Sequence, residues 1–97
     1  MGRCIIYIND MFAEWSSVVD APVTYFMYEN EMIEYLKDAY GSNGIDENLK
    51  RIERAKQNGT SSYMYQNIDD LISFNRAGKN EENLTKEEIW KEYQYHG

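Results

Sequence analysis

The spacing of apolar positions changes along the chain, and each change marks an element. Cys4 to Ile8 (Cys-Ile-Ile-Tyr-Ile) is a short β-rich apolar run ending at the turn-forming pair Asn9-Asp10, which predicts a strand buried on at least one face. Val23 to Tyr28, after Pro22, predicts a second strand, and Ser61 to Gln66 a third. Met11 to Asp20 lacks a clear period and suits either a short helix or an irregular excursion.

From Asn30 the period becomes helical. Met32, Ile33, Leu36, Ala39 and Tyr40 share one face, with Asn30 as N-cap and Gly41 as the stop. Ile45, Leu49, Ile52 and Ala55 predict a second amphipathic helix ending at Asn58-Gly59. Ile68, Leu71 and Ile72 predict a short helix capped by Asn67 or Asp69, and Gly78 to Asn83 is a polar connector. The last helix carries the fullest start signal. Thr85 and Glu88 have capping-box spacing, while Leu84 and Ile89 stand where a hydrophobic staple places its two residues. The elements together predict an α+β fold, a small antiparallel sheet of about three strands against three to five helices. At 97 residues the chain is expected to form a single compact domain, residues 1–97.

Composition sharpens this picture in two ways. With 42% hydrophobic and 14% aromatic residues the chain is too rich in core-forming side chains for a disordered segment. The formal charge of −7 is uneven: residues 1–49 hold nine acids against two bases, whereas residues 50–97 hold eight of each. An anionic surface of this kind repels nucleic acid and anionic lipid and attracts a basic partner, so neither direct nucleic-acid binding nor membrane binding is expected. No signal peptide or apolar span of about 20 residues is seen, and the single cysteine, Cys4, sits inside an apolar run, which together suggest a reducing, cytoplasmic setting.

Catalytic chemistry is thin. His96 stands next to last, where chain ends fray, and Cys4 has no histidine near it in sequence to activate it. The acidic pairs Asp69-Asp70, Glu81-Glu82 and Glu87-Glu88 lack the loop pattern of a calcium site and suit helix starts instead. No phosphate-cradling glycine loop occurs, so no enzyme activity, metal or cofactor is expected. Lys50, Arg51, Arg54 and Lys56 form the one basic cluster. Asp46 to Lys50 and Glu47 to Arg51 have favourable i,i+4 spacing, which predicts structural charge pairing there; the alternative is a grip on a phosphate or nucleotide.

The first predicted helix supplies the candidate site. Glu31, Glu34 and Asp38 fall in one stripe opposite its apolar face, about 4.5 and 6 Å apart along the axis, comparable with phosphate spacing along a DNA strand. A solvated outer face is the plainer explanation, since every amphipathic helix has one. Against it, Glu34 and Asp38 repel at i,i+4 by about 0.2–0.5 kcal/mol, a cost that helix stability alone would avoid. Tyr35 lies beside the stripe and Glu29 at its start, so the expected partner-binding set is Glu29, Glu31, Glu34, Tyr35 and Asp38. Nine tyrosines add rigid contact groups suited to protein recognition.

In size, in the acidic excess of residues 1–49, in tyrosine content and in the absence of catalytic groups, the chain resembles the small acidic anti-defence inhibitors of phages and other mobile elements, the anti-CRISPR and antirestriction proteins. The resemblance is one of overall character and carries no family residue onto a position here. It implies a non-enzymatic inhibitor in the cytoplasm of a bacterial host, bound to a basic nucleic-acid-binding protein or complex. The alternatives are an interaction module recognising its partner through an aromatic patch, and a small nucleotide-binding sponge using Arg51, Arg54 and the tyrosines. A homo-oligomer is compatible with each.

Overall fold

Residues Arg3–Ile8 form strand β1, and the chain reverses at once into β2, Met11–Ser16. The computed structural model describes residues 2–41 and 44–95, and only the backbone of Ile45; His96 lies outside the described residues. Asn9 and Asp10 both take positive φ, 50° and 66°, the condition for a two-residue turn whose twist matches the strands it joins. Tyr7 donates its hydroxyl to Asp10 Oδ1 at 2.9 Å, fastening the turn to β1. The pairing runs from Arg3 opposite Ser16 to Ile8 opposite Met11.

Met11 to Ser16 is therefore a strand, neither helix nor irregular. Its pattern misleads because both sides of the hairpin are covered, which removes the usual alternation of apolar and polar residues. Cys4, Ile6, Ile8, Ala13 and Trp15 face one cluster, closed by Phe26, Ile68, Leu71, Ile72 and Ile89. Ile5 and Phe12 face the other, closed by Met32, Leu36, Ile52 and Ala55.

The second expected strand, Val23 to Tyr28, is not one and makes only isolated bridges at Phe26 and Met27; the third strand of the sheet, β3, is Ala21–Pro22 just before it, paired with Ser16 and Trp15. Beyond it the register slips. Phe12 and Met27 exchange backbone hydrogen bonds at 2.8 and 2.7 Å, so Val23 to Phe26 must bulge to span the two residues Ala13 and Glu14 opposite them. Within the bulge the Thr24 hydroxyl accepts the Glu14 N–H at 3.0 Å, and Val23 N–H donates to Glu14 O at 2.8 Å.

The third expected strand, Ser61 to Gln66, is likewise not one. It pairs only at its start, where a bridge joins Thr60 to Ile6 and the Ser61 N–H donates to the Ile5 carbonyl at 2.9 Å. Thereafter serine and threonine hydroxyls take over the backbone donors: Ser62 N–H donates to Thr60 Oγ1 and Met64 N–H to Ser62 Oγ. The sheet is nonetheless three-stranded and antiparallel, in the order β1-β2-β3, and with four α-helices the fold is α+β.

Helix α1 spans Glu29–Tyr40 and α2 spans Ile45–Asn58. α1 starts one residue before Asn30, capped at Tyr28, whose N–H donates to Glu31 Oε1 at 2.9 Å. Gly41 ends it with φ 80°, and Gly59 ends α2 with φ 81°. At Gly59 a side chain has no room, since a Cβ there would stand 2.5 Å from Ile68 Cβ. The inner side of α2 holds Asn48, Ile52 and Ala55, whereas Leu49, expected inside, is 40% exposed. Ala39 of α1 is exposed too.

The short α3, Ile68–Ile72, is capped by Asn67, whose Oδ1 accepts the Asp70 N–H at 2.9 Å. Helix α4, Lys86–Glu92, has the expected capping box, Glu88 N–H to Thr85 Oγ1 at 3.1 Å and Thr85 N–H to Glu88 Oε1 at 2.9 Å. The Thr85 backbone N–H, and after it the Thr85 side chain, hold the Glu88 carboxyl below its ordinary value. Leu84 and Ile89 both reach the first cluster, as a staple requires. No helix among the described residues is long and apolar enough to cross a membrane.

Candidate functional site

Helix α1 lies on the second cluster through Met32 and Leu36, which turns Glu31, Glu34 and Asp38 to solvent. The three carboxylates thus share the outer side, as their spacing requires. Their electrostatic surroundings differ. Glu31 is tied to the helix start by the Tyr28 N–H. Glu34 has Lys37 at 3.6 Å, an exposed i,i+3 pair of small energetic weight. Asp38 has no cation within 4 Å among the described residues.

Glu29 is set apart from the stripe. Lys56 of α2 forms an ion pair with it and with Glu53, and the Glu29 bond raises the Lys56 ammonium above its ordinary value. The charge of Glu29 is thereby matched by a base from the later half of the chain.

Tyr35 points inward. Its hydroxyl donates to Glu14 Oε1 at 2.6 Å, and the Tyr40 hydroxyl donates to Glu14 Oε2. Glu14 is fully buried, at 0% exposure, and Arg3 Nη1 donates to the same Oε1 at 3.0 Å. The hairpin register explains the convergence. Glu14 stands opposite Ile5 on the α1 side of the sheet, and Arg3, two residues before Ile5, reaches it on the diagonal. A buried carboxylate survives when its lone pairs are taken by donors, and here two phenols and a guanidinium take them. The sequence counted Glu14 only as one of nine acids; a lone acid between Ala13 and Trp15 was the available sign of a buried polar centre.

Burial first, and then the bond to Glu14, raises both the Tyr35 and the Tyr40 hydroxyls above the ordinary tyrosine value. The folded chain therefore keeps these protons to higher pH than the unfolded chain. Stability from this source is complete below about pH 10 and is lost as pH rises from there toward the folded values. Tyr7, through its bond to Asp10, and Tyr93, through burial, shift in the same direction. The urea midpoint is expected to decline above about pH 10, less steeply in Y35F/Y40F than in the wild type. Identical alkaline slopes in the two proteins would remove the two phenols from the account.

Beside Glu31 and Tyr35 the surface dips into a hollow of about 420 Å³, bordered also by Tyr25, Met27 and Tyr95. The Tyr25 and Tyr95 rings stand 5.9 Å apart, and both are more than half exposed. Tyr28, 62% exposed, stands at the head of the helix.

The basic cluster departs from its expected pairing. Lys50 takes Glu47 at 3.6 Å, an i,i+3 pair, in place of Asp46. Arg51 donates to Asn48 Oδ1 at 3.0 Å in place of Glu47. Among the described residues no group of three or more His, Cys, Asp or Glu side chains is arranged to hold a metal ion. Comparison with protein-family models, with curated proteins and with solved structures finds no match to this chain.

Proposed function

We propose that the protein is a non-enzymatic inhibitor that binds a basic, nucleic-acid-processing defence protein, of the anti-CRISPR or antirestriction kind, and covers its nucleic-acid groove. The observation that carries this reading is the outer side of α1, where Glu31, Glu34 and Asp38 are all exposed and Lys37 is the one base set against them among the described residues. Glu29 contributes less, because Lys56 matches its charge, and Tyr35 acts from below by fixing the helix to Glu14. Exposed Tyr25, Tyr28 and Tyr95 beside Glu31 supply the rigid aromatic contacts that a charged face needs for a durable complex.

The same tyrosines favour a second reading, an interaction module that recognises its partner by the aromatic hollow alone. Salt separates the two, since attraction between exposed charges weakens with ionic strength and aromatic burial does not.

The test uses purified CRISPR effector complexes and restriction enzymes in DNA-cleavage assays. The wild-type chain is expected to inhibit at least one stoichiometrically, with inhibition relieved by excess DNA and by moderate salt. E31K/E34K/D38K is expected to lose at least about tenfold in affinity, the equivalent of 1.4 kcal/mol, while keeping a wild-type circular dichroism spectrum. Undiminished inhibition by the charge-reversed protein removes the acidic face from the mechanism. Inhibition insensitive to salt assigns binding to the aromatic hollow.

A further inference from the structure

Seven of the ten lysines and arginines stand in ion pairs among the described residues, and the three that do not are Arg51, Arg54 and Lys79. In a chain with seven excess acids, a guanidinium without a carboxylate is unexpected. Arg51 and Arg54 border the same open cavity, about 360 Å³ in volume, lined by the start of β1, helix α2 and the 61–65 segment. Arg3 stands at its edge, already engaged by Glu14.

Both free guanidiniums are nevertheless held in place, and by neutral groups. Arg54 donates through Nε to the Ser61 carbonyl at 2.7 Å and through Nη1 to the Tyr63 hydroxyl, and its Cζ lies 3.8 Å from the centre of the Tyr63 ring. Arg51 is held by Asn48 Oδ1. Such anchors fix orientation without cancelling charge, so N–H donors remain on each fork for a ligand. Their ordering has already been met in the folded chain, which favours binding.

The rest of the lining includes an apolar and aromatic group: Trp15 and Cys4, both buried, with Met64 and Tyr65. Burial raises the Cys4 thiol above its ordinary value, so it adds no charge to the lining. Two guanidinium forks and aromatic side chains lining one cavity suit a ligand with an anionic head and a planar body. The volume falls at the lower end of the range for small-molecule sites, about 300–1,000 Å³.

We propose that this cavity binds a small phosphorylated ligand of the nucleoside monophosphate class, with its phosphate on Arg51 and Arg54 and its base toward Tyr65 and Met64. A nucleic-acid strand does not fit the same argument. It meets the field of the whole acidic surface, whereas a single phosphate inside the cavity feels chiefly the arginines within a screening length of about 8 Å. Glu47, paired with Lys50 at 3.6 Å, also lines the cavity and opposes the anion. It sets the sign of one variant below. The site is independent of the α1 face.

The experiment titrates the full chain with ribonucleoside 5′-monophosphates, the matching nucleosides and inorganic phosphate, reading tryptophan fluorescence and the thermal midpoint. At least one monophosphate is expected to raise the midpoint and change the fluorescence saturably, more tightly than phosphate and far more tightly than its nucleoside. R51A and R54A, folded by circular dichroism, are each expected to weaken binding about tenfold or more, the scale for losing a hydrogen bond to a charged group. E47Q is expected to strengthen it. The proposal is overturned if no monophosphate changes either signal at millimolar concentration, if a nucleoside or phosphate binds as tightly as the monophosphate, or if R51A/R54A binds as well as the wild type.

Discussion

Replacing Glu14 by alanine is expected to destabilise the protein by about 3 kcal/mol, the lower end of the cost of removing one partner of a buried charge network. The site explains the size. Glu14 is the fully buried acceptor for three donors, Arg3, Tyr35 and Tyr40, which come from β1 and from two turns of α1. Its loss leaves two phenols facing a vacated space between sheet and helix. Arg3 suffers less, because its side chain is 49% exposed and can turn to water. For a chain of this size, about 3 kcal/mol corresponds to a fall of roughly 12–24 °C in thermal midpoint. E14Q is expected to lose about half as much, since the amide keeps the volume and one acceptor but turns a donor toward a phenol. Urea unfolding of E14A, Y35F and the double variant closes a thermodynamic cycle. Additive losses would dissolve the network; a double variant no worse than E14A supports it.

This network also bears on the acidic face. Tyr35 and Tyr40 lie five residues apart on α1 and both descend to the same carboxylate, which fixes the rotation of the helix about its axis. That rotation decides which side of α1 meets solvent. Glu31, Glu34 and Asp38 are therefore presented outward by an acid that never reaches the surface.

The readability of the chain followed from how far each element's pattern was set locally. Helix stops at Gly41 and Gly59, the Asn67 cap and the Thr85–Glu88 box are decisions made within a few residues, and each is seen in the structure. β1 was legible because five consecutive apolar or β-rich residues allow little else. β2 was not, because a strand with both faces covered loses its alternation, and Glu14 interrupts the apolar run for a reason that lies on α1. The segment after Thr60 has strand composition, yet its hydroxyls satisfy backbone donors that a neighbouring strand would otherwise take. The candidate stripe on α1 was legible from spacing alone, but the inward turn of Tyr35 and the Lys56–Glu29 pair are tertiary facts. So is the cavity at Arg51 and Arg54, where sequence spacing favoured pairing with acids of the same helix.

Asn75 gives the second large effect, again from a buried polar group. It is 2% exposed and uses its whole side-chain amide. Nδ2 donates to the carbonyls of Ile72 and Leu84, each at 2.7 Å, while Oδ1 accepts the N–H of Leu84 at 2.9 Å and of Ala77 at 3.2 Å. One side chain thus ties the end of α3 to the entry of α4 across a connector in which Asn80 and Glu81 hold positive φ. Alanine leaves two carbonyls and two N–H groups without these partners. At about 1–3 kcal/mol for each group that stays dry, and with some reaching water, N75A is expected to cost about 3 kcal/mol. Aspartate is the sharper probe. It keeps the shape, but its carboxylate has no proton to give and sets negative charge against two carbonyl oxygens, so at neutral pH N75D is expected to lose at least as much as alanine. In both variants the Ala77 and Leu84 amides are expected to exchange with solvent faster than in the wild type, because their acceptor is gone or misplaced. If N75D unfolds in urea at the wild-type midpoint with those amides still protected, the amide is not what joins α3 to α4.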